Sequence, residues 1–126
     1  MKVYHYAVPF NSKEESDRFF CEFLGLGKMR DFFAPKDLMK ALFNIDKEVE
    51  IVRYGNENID IEVLIVEEPI KMNKFNHIGL IIEDRDKLLD KAKAMGYETM
   101  IHPRDPDSYF LFIKDIYGNL YEIKEM

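Results

Sequence analysis

Apolar and polar positions change period several times along the chain, and each change marks an element. Residues 2–9 alternate, with Val3, Tyr4, Tyr6 and Val8 as the bulky members, which predicts a strand. Ser12-Lys13-Glu14-Glu15 has the form of a capping box, with Ser12 placed to accept from the free amides of a helix start. Phe19, Phe20, Phe23 and Leu24 then make the apolar stripe of a helix reaching about Leu24. Gly25 and Gly27 stop it, because glycine tolerates the left-handed backbone of a helix C-terminus. Residues 28–34 read as a strand. Leu38, Met39, Leu42 and Phe43 have helical spacing over 36–43, with Pro35 leading in. Residues 48–54 and 59–66 alternate strictly, and GNEN between them is rich in residues that accept positive φ, which predicts a hairpin.

EEPIKMNK, residues 67–74, reads as a linker. FNHIGLII (75–82) reads as a strand. Asp84 caps a helix over 85–95 whose stripe is Leu88, Leu89, Ala92 and Met95, and Gly96 ends it. Strands follow over 97–101, 108–114 and 120–125, with HPRDPD as a loop and DIYGN as a turn.

Read this way, the chain uses one unit twice: strand, helix, then three strands. His5 and His77 sit early in the two opening strands, and Glu62 and Glu122 sit in the two closing ones. Glu62 follows His5 by 57 positions and Glu122 follows His77 by 45, and the excess of 12 is close to the length of the extra helical segment from Pro35 to Phe43. The expected organisation is one domain over 1–126, with a first module at 1–67 and a second at 74–126. So short a repeat cannot bury its apolar face alone, which points to two copies packed edge to edge or exchanged with a second chain. The residue two after each histidine is small, Ala7 and Gly79. Side chains two apart share a sheet face, so a ligand or ion has room over the strand.

Charge narrows the partners. The 126 residues carry a formal net charge of -6, which argues against gripping a nucleic-acid backbone. Lysines and arginines are scattered, with no polybasic run for an anionic membrane, and no apolar run nears the roughly 20 residues that span a bilayer. The N-terminal stretch runs directly into VYHYAVPF with no export-signal pattern, so a cytoplasmic location is the expectation. Cys21 is the only cysteine, which excludes an intrachain disulfide and a thiolate cluster, and it reads as a half-buried helix residue.

The runs YHYAV, IEV, NHIGLIIED, the helix ending AMGYE and D-x-x-G-N-L-Y-E resemble the vicinal oxygen chelate superfamily, which includes glyoxalase I, methylmalonyl-CoA epimerase, extradiol dioxygenases and bleomycin or fosfomycin resistance proteins. In that family the closing turn commonly reads Asp-Pro-Asp-Gly-Asn; here Asp115, Gly118 and Asn119 remain while Ile116 and Tyr117 replace the middle pair. The resemblance implies an α+β fold of two βαβββ modules forming a curved mixed sheet around a divalent metal. Its ligand positions fall on His5, Glu62, His77 and Glu122. A glutamate at the Glu62 position resembles glyoxalase I more than the dioxygenases, which use two histidines and one glutamate. A homodimer is expected on the same ground.

Two imidazoles and two carboxylates suit a borderline ion such as Zn, Ni, Co, Mn or Fe. Such an ion stabilises an enediolate or enolate oxyanion, while Glu122 or Glu62 moves a proton at the adjacent carbon. The first expectation is a lyase or isomerase of glyoxalase-I type acting on a small carbonyl compound. A non-catalytic small-molecule binder of the same superfamily is the alternative, and an extradiol-type dioxygenase the third. Arg53 and Tyr109 lie in strands beside the expected site and read as packing or surface charge. His102 reads as a loop residue, at the pocket rim with Arg104.

Overall fold

Two units of the same build follow one another in the computed structural model, which describes residues 1–71 and 73–126. The first covers Met1–Ile70 and the second Lys71–Met126. The first contains β1 (Tyr6–Phe10), α1 (Lys13–Asp17) continued by a π-wound segment (Arg18–Phe23), β2 (Gly27–Ala34), α2 (Lys36–Phe43), β3 (Val49–Gly55) and β4 (Asp60–Ile65). The second contains β5 (Ile78–Ile82), α3 (Arg85–Met95), β6 (Glu98–Asp105), β7 (Ser108–Lys114) and β8 (Leu120–Glu125). Each unit is a four-stranded mixed sheet, ordered β1-β4-β3-β2 and β5-β8-β7-β6. In both, the opening strand lies parallel to the closing strand and the other pairs are antiparallel. The α+β architecture of two βαβββ modules is therefore present. The linker expected at 67–74 has neither helix nor strand over its described residues, with Met72 outside them.

The helix punctuation acts as read. Ser12 Oγ accepts from the Glu15 amide at 3.2 Å, and Asp84 Oδ1 from the Lys87 amide at 3.0 Å. Gly96 closes α3 at φ +83°. The first helix departs from a regular α-helix: the Leu24 amide reaches back five residues to the Phe19 carbonyl. The wider turn still buries Phe19, Phe20 and Phe23, and Phe20 stacks on Tyr54 of β3 at 5.2 Å.

Three boundaries differ from the sequence reading. β1 starts at Tyr6 rather than near residue 2, because its partner among the described residues is β4 and the pairing opens at Tyr6 opposite Ile61. Among the described residues, those before it pair with no strand. β5 starts at Ile78 rather than 75 for the same reason, opening opposite Tyr121. β6 runs to Asp105 through the stretch read as a loop. It is the edge strand of its sheet, so Pro103 can sit in it without removing a needed ladder bond.

Each sheet has one face under a helix. In the first unit Val8, Phe10, Val52, Tyr54, Ile61 and Val63 are buried on the α1 side. The opposite face is divided. At one end Met39 of α2 packs with Ala34, Val49, Ile51 and Val66, with Leu64 and Phe32 against them. At the other end lie Arg53, Asp60 and Glu62, uncovered by α2. In the second unit Leu111, Ile113, Tyr121 and Ile123 are buried together with Leu89 and Ala92 of α3. Alternation puts Phe110, Phe112, Glu122 and Lys124 on the other face. Among the described residues, no helix is long and apolar enough to cross a membrane.

Candidate metal centre

The repeat is registered residue for residue at the four candidate donors. Ala7 pairs with Glu62 across β1 and β4, and Gly79 pairs with Glu122 across β5 and β8. Each histidine lies two positions before that pair, just outside its ladder. From there it leans onto the face that carries its glutamate. His5 Nε2 stands 3.9 Å from Glu62 Oε2, and His77 Nε2 stands 3.4 Å from Glu122 Oε2. Both glutamates are 18% exposed, while the histidines are 33% and 39% exposed, so each pair opens to solvent on the imidazole side. A Cβ placed on Gly79 would meet nothing within 4 Å, so the space beside the second pair is open.

The two pairs differ in their surroundings. His77 Nδ1 lies 3.0 Å from the Phe75 carbonyl oxygen. A carbonyl only accepts, so Nδ1 carries a hydrogen and Nε2 is the ring nitrogen that faces Glu122. Imidazoles that bind metals are commonly oriented by such a carbonyl on the other ring nitrogen. The ring also meets the edge of Phe112 at 5.7 Å. His5 Nδ1 is buried without a hydrogen-bond partner, and its ring lies 5.1 Å from that of Tyr4. Opposite Glu62 in the ladder stands Arg53, whereas opposite Glu122 stands Phe112. Arg53 is tied to Asp60 by two hydrogen bonds and lies 4.9 Å over the Tyr4 ring, and Asp60 holds its pKa above the ordinary range. Lys124 Nζ lies 3.2 Å from Glu122 Oε1. Lys124 is a partner the sequence reading did not assign, although its place two residues after Glu122 already put it on that face.

The donor sets suit a cation. Two donors on one tetrahedral zinc, each about 2.0–2.1 Å from it, stand about 3.3–3.4 Å apart. The His77–Glu122 separation matches that figure, and the His5–Glu62 separation is wider. Among the described residues, no group of three or more His, Cys, Asp or Glu side chains gathers as a ready metal site.

The other candidates lie elsewhere. His102 is an exposed strand residue opposite Phe110, a correction to its reading as a loop residue. Arg104 does line a cleft of the second unit, together with Arg85, Tyr109, Phe110, Glu122 and Lys124. Tyr109 donates its hydroxyl hydrogen to Asp86, and Arg85 lies 3.9 Å over its ring. Cys21 is half-buried, and burial pushes its thiol up, which keeps it protonated and unreactive.

No family model and no curated protein matches the chain. Solved structures do. The fosfomycin resistance protein FosX from Listeria monocytogenes superposes with a TM-score of 0.75 at 14% identity, over 100% of this chain and 93% of that one. A glyoxalase family protein from Enterococcus faecalis gives 0.74 at 15% identity, over 97% and 95%. A glyoxalase/bleomycin resistance protein/dioxygenase from Alicyclobacillus acidocaldarius gives 0.66 at 18% identity, over 98% and 90%.

The chain has the vicinal oxygen chelate fold. At these identities the likeness is one of fold, and fold alone does not carry activity. Within the vicinal oxygen chelate fold, the paired opening and closing strands set each histidine beside its glutamate.

Proposed function

We propose that the chain is a divalent-metal-dependent lyase or isomerase of glyoxalase-I type, with His5, Glu62, His77 and Glu122 as metal donors. The observation that carries this reading is the shared register. Both units set an imidazole and a carboxylate together on an open sheet face, two residues before and directly opposite a small residue. Solvated surface residues have no reason to repeat that arrangement. When bound, an ion such as Zn, Ni, Co, Mn or Fe supplies Lewis acidity toward two oxygens of a small carbonyl substrate.

The chain's residues supply the rest. Glu122 or Glu62 takes a proton from the carbon beside the carbonyl and returns it. The Phe75 carbonyl orients the His77 ring through Nδ1. Ala7 and Gly79 keep the faces above both strands clear. The test is proton NMR in D₂O of hydroxyketones and hemithioacetals with metal-reconstituted protein. Wash-out of the proton beside the carbonyl is expected, with loss of about 100-fold or more in E122Q or E62Q. No exchange above buffer with any of the five metals would contradict the reading.

One observation favours a second reading, a non-catalytic small-molecule binder. Lys124 already neutralises one oxygen of Glu122 without a metal. On that reading H5A and H77A leave ligand binding intact; on the first they remove metal and exchange together.

A further inference from the structure

The second unit holds a cleft of about 360 Å³ beside Glu122, a volume suited to a small molecule. Two of its lining residues are arginines held in place without a counter-ion. The guanidinium carbon of Arg85 lies over the Tyr109 ring, 3.9 Å from its centre, and Nη1 donates to the Tyr109 carbonyl at 2.8 Å. Its Nε is buried with no acceptor. Arg104 lies 5.5 Å over the Phe110 ring. Neither guanidinium has an ion-pair partner among the described residues.

Three carboxylates line the same cleft, those of Asp107, Glu122 and Glu125, and among the described residues none forms an ion pair with Arg85 or Arg104. Glu122 faces His77 and Lys124, and Glu125 accepts the backbone amide of Arg85 at 3.3 Å. A guanidinium held by aromatic stacking, with free N–H groups and a buried donor left unsatisfied, lacks an oxyanion. Guanidinium geometry matches carboxylate and phosphate oxygens in a bidentate way, which a solvated surface lysine does not.

We infer that this cleft is an oxyanion subsite, in which Arg85 and Arg104 bind the carboxylate or phosphate of a small molecule whose other end reaches Glu122. The substrate class is thereby an anionic carbonyl compound rather than a neutral one. The inference rests on the proposed function only for the use made of the anchored molecule; the anion binding stands apart from any metal.

The experiment uses the chelator-treated 126-residue chain, so metal plays no part. Inorganic phosphate and acetate are titrated by calorimetry, with phosphate also followed by phosphorus NMR. Saturable binding of at least one anion is expected, and R104Q and R85Q should each weaken it by about tenfold or more, as loss of a charged hydrogen bond implies. K93Q, outside the cleft, should bind as the parent does. Arg104 is exposed, so R104Q keeps the test decisive if R85Q does not fold. No saturable binding below about 10 mM, or equal binding by R104Q and the parent, overturns the subsite. Metal retention measured on the same R104Q protein should be unchanged, which separates failure of the subsite from failure of the metal reading.

Discussion

Arg53 and Glu62 stand directly opposite each other across β3 and β4, yet Arg53 gives its guanidinium to Asp60 and Tyr4. Asp60 therefore keeps a permanent cation from closing on a candidate metal donor. Replacing Asp60 with Ala frees Arg53 to pair with Glu62. D60A should lose affinity for a divalent ion by about tenfold, the low end for changes one shell out from a metal. Equilibrium dialysis against a competing chelator measures it. Unchanged affinity would show that Arg53 does not compete for Glu62.

α2 is the part of the first unit with no counterpart in the second. Its Met39 is 2% exposed and sits among Ala34, Val49, Ile51 and Val66. M39A removes that plug and should cost about 2–5 kcal/mol, the usual range for a large core side chain cut to alanine. Urea denaturation of parent and variant gives the difference. A change under about 1 kcal/mol would show that the sheet face beneath α2 does not need it.

Asp115 holds the turn before β8 from inside. Its two oxygens accept from the Tyr117 amide at 2.9 Å, the Asn119 amide at 3.0 Å, Asn119 Nδ2 at 2.9 Å and the Tyr121 hydroxyl at 2.9 Å. D115A leaves those donors without acceptors in a buried place. A loss of about 3 kcal/mol or more is expected by the same denaturation assay. Because β8 carries Glu122, metal retention should fall with it.

Lys13 bonds Asp31 at 2.6 Å and Glu50 at 2.8 Å, joining α1 to β2 and β3. The Lys13 hydrogen bond is the main cause that holds the Asp31 carboxyl below its ordinary 3.8. A depressed folded-state value means stability that is present above the unfolded value and lost as pH falls through the folded one. The parent should therefore be more stable than D31N at pH 6, and that advantage should shrink as pH falls from about 4 toward 2. High salt should reduce it, because the pair is exposed. An advantage that grows on acidification would contradict the assignment.

Much of this architecture is readable from local chemistry. Pro35 and Asp84 mark the starts of α2 and α3, and Gly96 marks a C-terminus, because each answers a backbone requirement set within a few residues. Pro103 misleads for a physical reason: proline breaks an interior strand, but β6 is an edge, and edge status depends on which strand lies next to it in space. The π-wound turn at Arg18–Phe23 leaves no mark either, since Phe19, Phe20 and Phe23 make an apolar stripe under either winding. Repetition makes His5, Glu62, His77 and Glu122 stand out as a set. Pairing of each histidine with its own glutamate then follows from the parallel register of opening and closing strands. Arg85 escapes notice because its significance lies in a missing counter-ion, and counter-ions are chosen by three-dimensional neighbours. Asp60 escapes it too, since Arg53 has Glu62 directly opposite and spacing alone does not say which carboxylate it takes.

On the proposed reading, His5, Glu62, His77 and Glu122 are divalent-metal donors. The direct measurement is metal content by mass spectrometry after stripping the protein, reloading it with Zn, Ni or Co, and removing excess, in parallel with H5A, H77A, E62A and E122A. About one equivalent per chain is expected for the parent. Each variant should retain far less under the same wash. Less than about a tenth of an equivalent in the parent with every metal, or equal retention by the parent and all four variants, would contradict the account.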